Sequence, residues 1–464
     1  MFKLPNYTLK QFMCIAIIGS MMMMESIDTN ILTVAIPSIA VNLGTTPLNV
    51  KLAIVSYLVS LSIFIPISGY LSDKFGSKNI LLISIAGFGL SSLLCGLSSS
   101  LIELVIFRFV QGIFGALTVP VGRLLMLKVF SKQELVKVFM LISMPLLLGP
   151  LLAPYLGGLL VSYYSWHYIF YVNIPFSLLA LLATFRFVDN YRQEVKKFNW
   201  KSFIALGIFL AILAFWLDTA LDIKNAYVHL IYALLTLITL IIYLKIELNS
   251  SNRIVNYKLF KIKSYNLCFW SSAISRITFG AKGFVLILYL QLALKITPLE
   301  SGFITSWMAL GYLFSRIAVS KLLKYLGFKK MLTICNIGTF ISMLMFCLID
   351  KPDTFTVIII VANGFFSAVI PLLIYVLCYA DVPNEDYASA TGLMSTTQQL
   401  FFAVGVTLGA ACIFICNKIY SVSYANQTFM ITFVIIALIG LMGQFCFNKL
   451  NPDSGEKLAN KKNN

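Results

Sequence analysis

The sequence predicts an all-α polytopic membrane protein, and three observations carry that prediction. Apolar stretches of membrane-spanning length fill nearly the whole chain. Only 11% of its 464 residues are charged against 59% hydrophobic, with a mean hydropathy of +0.89. Basic residues collect at the same side of successive spans. A water-soluble chain would be about a quarter charged, so the composition excludes a soluble fold.

A hydrocarbon core of roughly 30 Å needs about 20 apolar residues in a helix. That rule places spans near 12–37, 50–72, 79–98, 101–122, 138–162 and 167–187. Two follow near 201–220 and 226–246, and six more near 265–293, 301–322, 331–349, 354–379, 392–416 and 427–447. The N-terminal stretch reads as the first of these fourteen spans. It is too long for a removable signal peptide, and no small-x-small cleavage site precedes a soluble domain.

Charge sets the expected orientation. With both termini in the cytoplasm, 26 of the 35 Lys and Arg residues lie on the cytoplasmic side and five outside (Lys51, Lys224, Lys295, Lys351 and Lys418). Arg108, Arg276, Lys282 and Arg316 remain within spans. The bias follows the positive-inside rule and accounts for the formal charge of +17, so no nucleic-acid partner is needed to explain it. The basic helix ends would meet water and anionic lipid instead. The nine cysteines fall mostly inside spans and form no CxxC pair, which argues against a disulfide framework or a zinc site. His167 and His229 are too few for a metal cluster.

The chain repeats itself at an offset of 251. Thr46-Pro47-Leu48 recurs as Thr297-Pro298-Leu299, Leu71 as Leu322, Gly76 as Gly327 and Lys78 as Lys329. Two six-span halves, each with a charged turn after its second helix, would produce this pattern. Paired halves with a site near mid-membrane are the architecture of many secondary transporters. The expected organisation is a six-helix bundle over 1–190 and a linker with two added helices over 191–264. A second bundle covers 265–450, and a polar, lysine-rich, disordered cytoplasmic tail covers 451–464.

Some residues stand out before any family is considered. Glu25 and Asp28 are the acids well inside span 1, and their spacing of three puts them on one helix face. Two acids on one face repel when ionised, so a proton could bind and leave there. A cation such as Arg108 near mid-span costs on the order of 2.5–3.5 kcal/mol and normally faces the bundle interior or water. Gln111, three residues on, shares its face and could hydrogen-bond across a cavity. Arg276 and Lys282, six apart in span 9, lie on different sides of one helix and would favour anionic cargo, unless they pair with Asp28 or Glu25. Gln398 and Gln399, with Phe401 and Phe402, could add contacts from span 13. Asp218 and Asp222, ending span 7, read as solvated.

Five segments then resemble a known family. In span 1 the segment is Asp28-Thr29-Asn30-Ile31-Leu32-Thr33-Val34-Ala35-Ile36-Pro37. After span 2 it is Gly69-Tyr70-Leu71-Ser72-Asp73-Lys74-Phe75-Gly76-Ser77-Lys78. Span 4 carries Arg108-Phe109-Val110-Gln111-Gly112-Ile113-Phe114-Gly115-Ala116, and span 5 carries Gly149-Pro150-Leu151-Leu152-Ala153-Pro154-Tyr155-Leu156-Gly157-Gly158. Trp166-His167-Tyr168-Ile169-Phe170-Tyr171-Val172-Asn173-Ile174-Pro175 opens span 6. Together, in this order, they resemble the major facilitator superfamily and its fourteen-helix drug:proton antiporters (EmrB/QacA-like). The run from Pro120 to Pro175 is most similar to MdtD-type multidrug exporters. The match departs at Asn30 and Thr33, at Ser77, at Ala153 and at Pro145, where the family more often has other residues.

The resemblance implies the superfamily fold and a set of roles. Asp28 would be the principal proton-coupling site, with Arg108 and Glu25 beside it. Gly69, Asp73, Gly76, Lys78 and Arg123 would form a cytoplasmic gate, Asp73 pairing with Arg123 or with a neighbouring helix N-terminus and the two glycines permitting close approach. Gly149, Pro150, Pro154, Gly157 and Gly158 would be the antiporter motif, a bent and tightly packed contact that seals the outward side. The expected substrate cavity draws on Gln111, Arg276, Lys282, Gln398 and Gln399.

The function expected from these readings is proton-coupled export of small molecules, drugs or toxic amphiphiles, across a bacterial inner membrane. Export of an endogenous anionic metabolite, such as an organic acid or a siderophore, is the alternative. No enzyme motif such as HExxH, GxSxG or a Walker glycine loop is present, and the longest loops are too short for a catalytic domain. The expected energy source is the proton gradient, with no cofactor. The expected partners are a small-molecule substrate and the lipid bilayer. The protein would be a monomer, one that could work with a periplasmic adaptor and an outer-membrane channel.

Overall fold

A computed structural model describes residues 7–131, 134–195, 197–219, 226–379, 381–383, 386–420 and 424–450. The readings for Asp222, Lys224 and the tail from Asn451 lie outside them. All regular structure among the described residues is helical. The order is α1 (Leu9–Asn42), α2 (Pro47–Phe64), α3 (Ser68–Phe75), α4 (Ser77–Gly96), α5 (Leu101–Val129), α6 (Leu135–Tyr163), α7 (Tyr168–Tyr171), α8 (Asn173–Phe187), α9 (Trp200–Thr219) and α10 (Ala226–Leu248). Then come α11 (Lys263–Leu288), α12 (Pro298–Ser306), α13 (Met308–Leu344), α14 (Thr354–Cys378), α15 (Tyr387–Tyr420), α16 (Asn426–Leu441) and α17 (Gly443–Asn448).

Among the described residues thirteen stretches, some running over two consecutive helices, are long and apolar enough to cross a membrane. The expected span 5 lies in α6, whose described apolar part, Leu148–Tyr163, is shorter. The chain divides into two compact units, Met1–Gly207 and Ile208–Asn464. In the first, α1 packs along α6, α5 lies between α2 and α4, and α8 closes against α4. In the second, α13 pairs with α14 and α11 with α15, around a core that includes Tyr265, Leu332, Leu373 and Phe447.

The 251-residue repeat is visible in the geometry of both units. Thr46 and Thr297 each cap a helix, the hydroxyl accepting from the backbone N–H three residues on (Asn49 and Glu300, 3.3 Å each), with Pro47 and Pro298 in the first turn. Gly76 and Gly327 both break the chain at positive φ, +96° and +68°. Lys78 and Lys329, two residues later, each donate to a carbonyl near the end of a later helix: Phe185 of α8 at 2.7 Å, and Asn448 of α17 at 2.8 Å. A sequence coincidence has no reason to reproduce a cap, a kink and a tether in register. The halves share one backbone plan.

Candidate functional site

In the first unit Asp28 and Arg108 meet in one closed network. Asp28, on α1, is 1% exposed, and Arg108, on α5, is equally buried. Arg108 Nη1 donates to Asp28 Oδ2 at 2.6 Å and to Gln111 Oε1 at 2.6 Å, while its Nε donates to the Ala53 carbonyl on α2 at 3.3 Å. The other carboxylate oxygen, Asp28 Oδ1, accepts from Asn173 Nδ2 at 2.8 Å and Gln111 Nε2 at 3.1 Å. Ser92, on α4, accepts from Gln111 at 2.7 Å. The guanidinium lies over the Tyr57 ring, 4.3 Å from its centroid, with Phe170 on α7 at 5.7 Å. Five long helices and one short one therefore converge on a single neutralised ion pair. Breaking a buried pair by removing one partner costs on the order of 3–5 kcal/mol, so the network holds α1 against α5 for as long as both charges persist.

Glu25, one turn before Asp28, has a different environment. Its Oε2 is buried without a hydrogen-bond partner among the described residues, and the charges that act on it are Arg123 and Asp28. The motif's departures do not reach the network. Asn30 donates to the Ser26 carbonyl and Thr33 to the Asn30 carbonyl, so both are spent on their own helix. Gln111, expected in the substrate cavity, is fully buried and instead orients Arg108 and Asp28. Asn173 had no assigned role in the sequence, although its motif was legible; a neutral amide in an apolar helix gives little signal.

The turn after α3 is held, but not by the expected partner. Asp73 Oδ1 accepts from Lys128 Nζ at 2.7 Å, and the pair is partly buried. Arg123 lies five residues earlier on α5, about 7.5 Å deeper along the axis and so away from the turn. The segment after α8 straps the same turn: Gln193 N–H donates to the Asp73 carbonyl and Ser77 N–H to the Tyr191 carbonyl, both at 3.0 Å. Asn190 Oδ1 accepts from the Lys78 N–H at 3.2 Å. Gly76 is required there, because a Cβ would collide with the Asn190 amide. Gly69 is not: a Cβ would meet Leu124 at an ordinary 3.8 Å.

The glycines of α6 permit its contact with α1. A Cβ at Gly149 would strike the Ser26 hydroxyl, and one at Gly157 would press on the Ile31 carbonyl at 3.0 Å. Gly158 is buried in the same turn. Pro150 and Pro154, with Pro145, sit inside the helix and remove backbone donors from it.

In the second unit, Arg276 and Lys282 both lie on α11 and are held by neutral groups. Arg276 Nη2 donates to Gln398 Oε1 at 3.0 Å, and Gln398 in turn donates to Ser272. Lys282, 2% exposed, donates to Asn363 Oδ1 at 2.8 Å and Ser367 Oγ at 3.2 Å. Gln399 is half-buried, Phe402 packs on Phe279, and Phe401 packs on Phe269. Among the described residues no group of three His, Cys, Asp or Glu side chains could hold a metal.

Helices of spanning length, a repeated half and charge networks buried inside the bundle define a polytopic transporter of small molecules. The family model of the Major Facilitator Superfamily matches residues 18–256 and 268–464, and the chain belongs to that superfamily. It is 31% identical over 442 residues to the "Putative multidrug resistance protein MdtD" of Escherichia fergusonii, and 30% identical over 442 residues to the protein of that name in Escherichia coli O139:H28. Each alignment covers 94% of both chains. Among solved structures, a peptide transporter POT in complex with sulfate aligns with a TM-score of 0.70 at 15% identity, over 98% of this chain and 97% of the other. A bacterial homologue of the human lysosomal transporter Spinster aligns at 0.67 and 10% identity, over 99% and 98%. The expected fold class and the transporter assignment are therefore correct.

Proposed function

We propose that this protein exports small molecules across a bacterial inner membrane by antiport with protons, with both termini in the cytoplasm and Asp28 as the coupling carboxylate. The observation that carries the reading is the Asp28–Arg108 pair, buried at 2.6 Å and completed by Gln111 and Asn173. A proton on Asp28 removes the negative charge, leaves Arg108 uncompensated and frees α1 from α5. That is the form a proton-controlled equilibrium between inward-open and outward-open states takes. Proton entry supplies roughly 2.3 kcal/mol per 100 mV of membrane potential for each charge moved. Glu25, with its unpartnered oxygen, is a second protonatable position on the same helix, and the Asp73–Lys128 pair with its strap is the cytoplasmic gate. The names of the MdtD relatives support drugs or toxic amphiphiles as cargo. Arg276 and Lys282, held by neutral groups alone, favour an anionic metabolite as the second reading.

Everted vesicles with an imposed pH gradient test this. Lipophilic cations or organic anions of the cargo class should dissipate the gradient with the parent protein and not with Asp28→Asn. Equal dissipation by the Asp28→Asn protein would sink the assignment of Asp28.

A further inference from the structure

From α11 to α17 the interior carries positive charge with no carboxylate paired to it among the described residues. From α11 to α17 the only acidic residue within a helix is Glu300, in the first turn of α12. Arg276 and Lys282 sit mid-helix on α11, and the Arg276 Nε is buried without a partner among the described residues. The first unit meets the same problem with Asp28. In the second unit the lysine meets an amide, a hydroxyl and the face of the Phe279 ring, 5.2 Å from its centroid, but no carboxylate among the described residues, which leaves a buried charge that an anion would stabilise.

A cleft stands beside Lys282 in the position such an anion needs. It is narrow, with about 30 Å³ of room for the centre of a water-sized sphere, and part of it is open to the outside. Lys282, Thr278, Asn336, Thr339 and Ser367 of α11, α13 and α14 give its walls polar groups, beside the apolar Phe279, Ile370 and Phe447, and Gly440 of α16 also lines it. A Cβ at Gly440 would press on Thr278 at 3.3 Å, so this glycine keeps the wall back. Two donors remain unspent. Lys282 has three N–H groups and gives two to Asn363 and Ser367. Asn336 is 5% exposed, lines the same cleft, and its Nδ2 has no partner among the described residues. The hydroxyls of Thr278 and Thr339 donate to carbonyls of their own helices, so their protons are not offered to the cleft.

We infer that this cleft is a binding site for a single monovalent anionic group, a carboxylate or a halide, held by Lys282 and Asn336. One positive charge with two free donor groups matches a monovalent anion and is a poor match for phosphate or sulfate. The inference extends the reading of Lys282 as an anion-recognising group and concerns binding alone, so it stands or falls separately from proton coupling at Asp28. The group can come from the cargo or be a resident inorganic ion, and the test tells these apart.

Purified full-length protein in lipid nanodiscs would be followed by tryptophan fluorescence during thermal unfolding. Sodium chloride or sodium benzoate would replace sodium HEPES at constant ionic strength, with no gradient present. At least one of the two should raise the unfolding midpoint saturably: chloride alone identifies a resident ion, and benzoate identifies a carboxylate-bearing cargo. Lys282→Met should abolish the saturable rise. Asn336→Leu should weaken the apparent affinity by about tenfold, the usual consequence of losing one hydrogen bond to a charged group. Should Lys282→Met fail to fold, Lys282→Arg keeps the charge and should retain saturation with an altered chloride-to-benzoate preference. Absence of saturation with both salts, or unchanged saturation in Lys282→Met or Asn336→Leu, overturns the proposal.

Discussion

At the scale of single residues, the fate of each buried charge depends on what it faces. Asp28 and Arg108 face one another, and each is tolerable in the apolar interior because the other is there. Removing either charge leaves the second uncompensated, whereas removing both leaves a polar but neutral contact. Asp28→Asn and Arg108→Gln are each expected to lower stability by about 3–5 kcal/mol. The double substitution should unfold at a higher temperature than the less stable single. Thermal unfolding of the four proteins in one detergent checks this, and strict additivity of the two losses would contradict it. These two residues were legible in the sequence because a charge in an apolar run is conspicuous. Asn173, Asn336 and Asn363 were not, since an amide shifts hydropathy little and its importance lies in a partner on another helix. The Asp73 partner was misread for a different reason. Arg123 and Lys128 lie on the same helix, and only the depth and rotation of α5 decide which reaches the turn.

At the scale of elements, backbone conformation separates glycines that look alike in the sequence. Gly69, Gly76 and Gly327 all belong to the two repeated turns or lie beside them, yet their demands differ. Gly69 is helical with room for a methyl group; Gly327 has positive φ and open space; Gly76 has positive φ and the Asn190 amide where a Cβ would go. Substitution by Ala should therefore be nearly neutral at Gly69. It should cost about 1–3 kcal/mol of backbone strain at Gly327, and more at Gly76, where the Asn190 strap must also move. Relative unfolding midpoints of the three variants give the order directly, and a Gly69→Ala protein weaker than Gly76→Ala would refute it. The repeat offset of 251 was readable from matched Thr-Pro-Leu and Gly residues because caps and kinks have specific sequence requirements. The strap over residues 188–193 was not, because an irregular segment held by backbone hydrogen bonds leaves no periodic trace.

For the whole molecule, the long apolar spans made the fold readable before any contact was known: a helix in lipid must satisfy its own backbone, and few alternatives exist. Orientation rests on a weaker force. Each misplaced lysine or arginine near the bilayer is opposed by only a few kcal/mol at most, but 26 against five on the two sides act together. An even number of crossings then returns the C-terminus to the side of the N-terminus. Alkaline phosphatase, active only outside the cytoplasm, and a fluorescent protein that matures only inside it read this out as fusions. Joined after residue 198, between the sixth and seventh spans, or at the C-terminus, the phosphatase should be inactive and the fluorescent protein bright. Joined at residue 224, between the seventh and eighth spans, the two signals should reverse. Phosphatase activity at the C-terminus with none at 224 would invert the orientation. It would also place the Asp73–Lys128 pair and its strap on the outer face, where they could not act as a cytoplasmic gate. Phosphatase activity at both 224 and the C-terminus would mean an even number of crossings after residue 224 instead of the expected seven, and the span assigned to α6 would no longer be the only one in question. Inactivity at 198 and the C-terminus with activity at 224 would fix the two added helices as a hairpin that enters and leaves the membrane on the cytoplasmic side. The second unit would then keep the same inside-facing start as the first, as the shared caps, kinks and tethers of the repeat require.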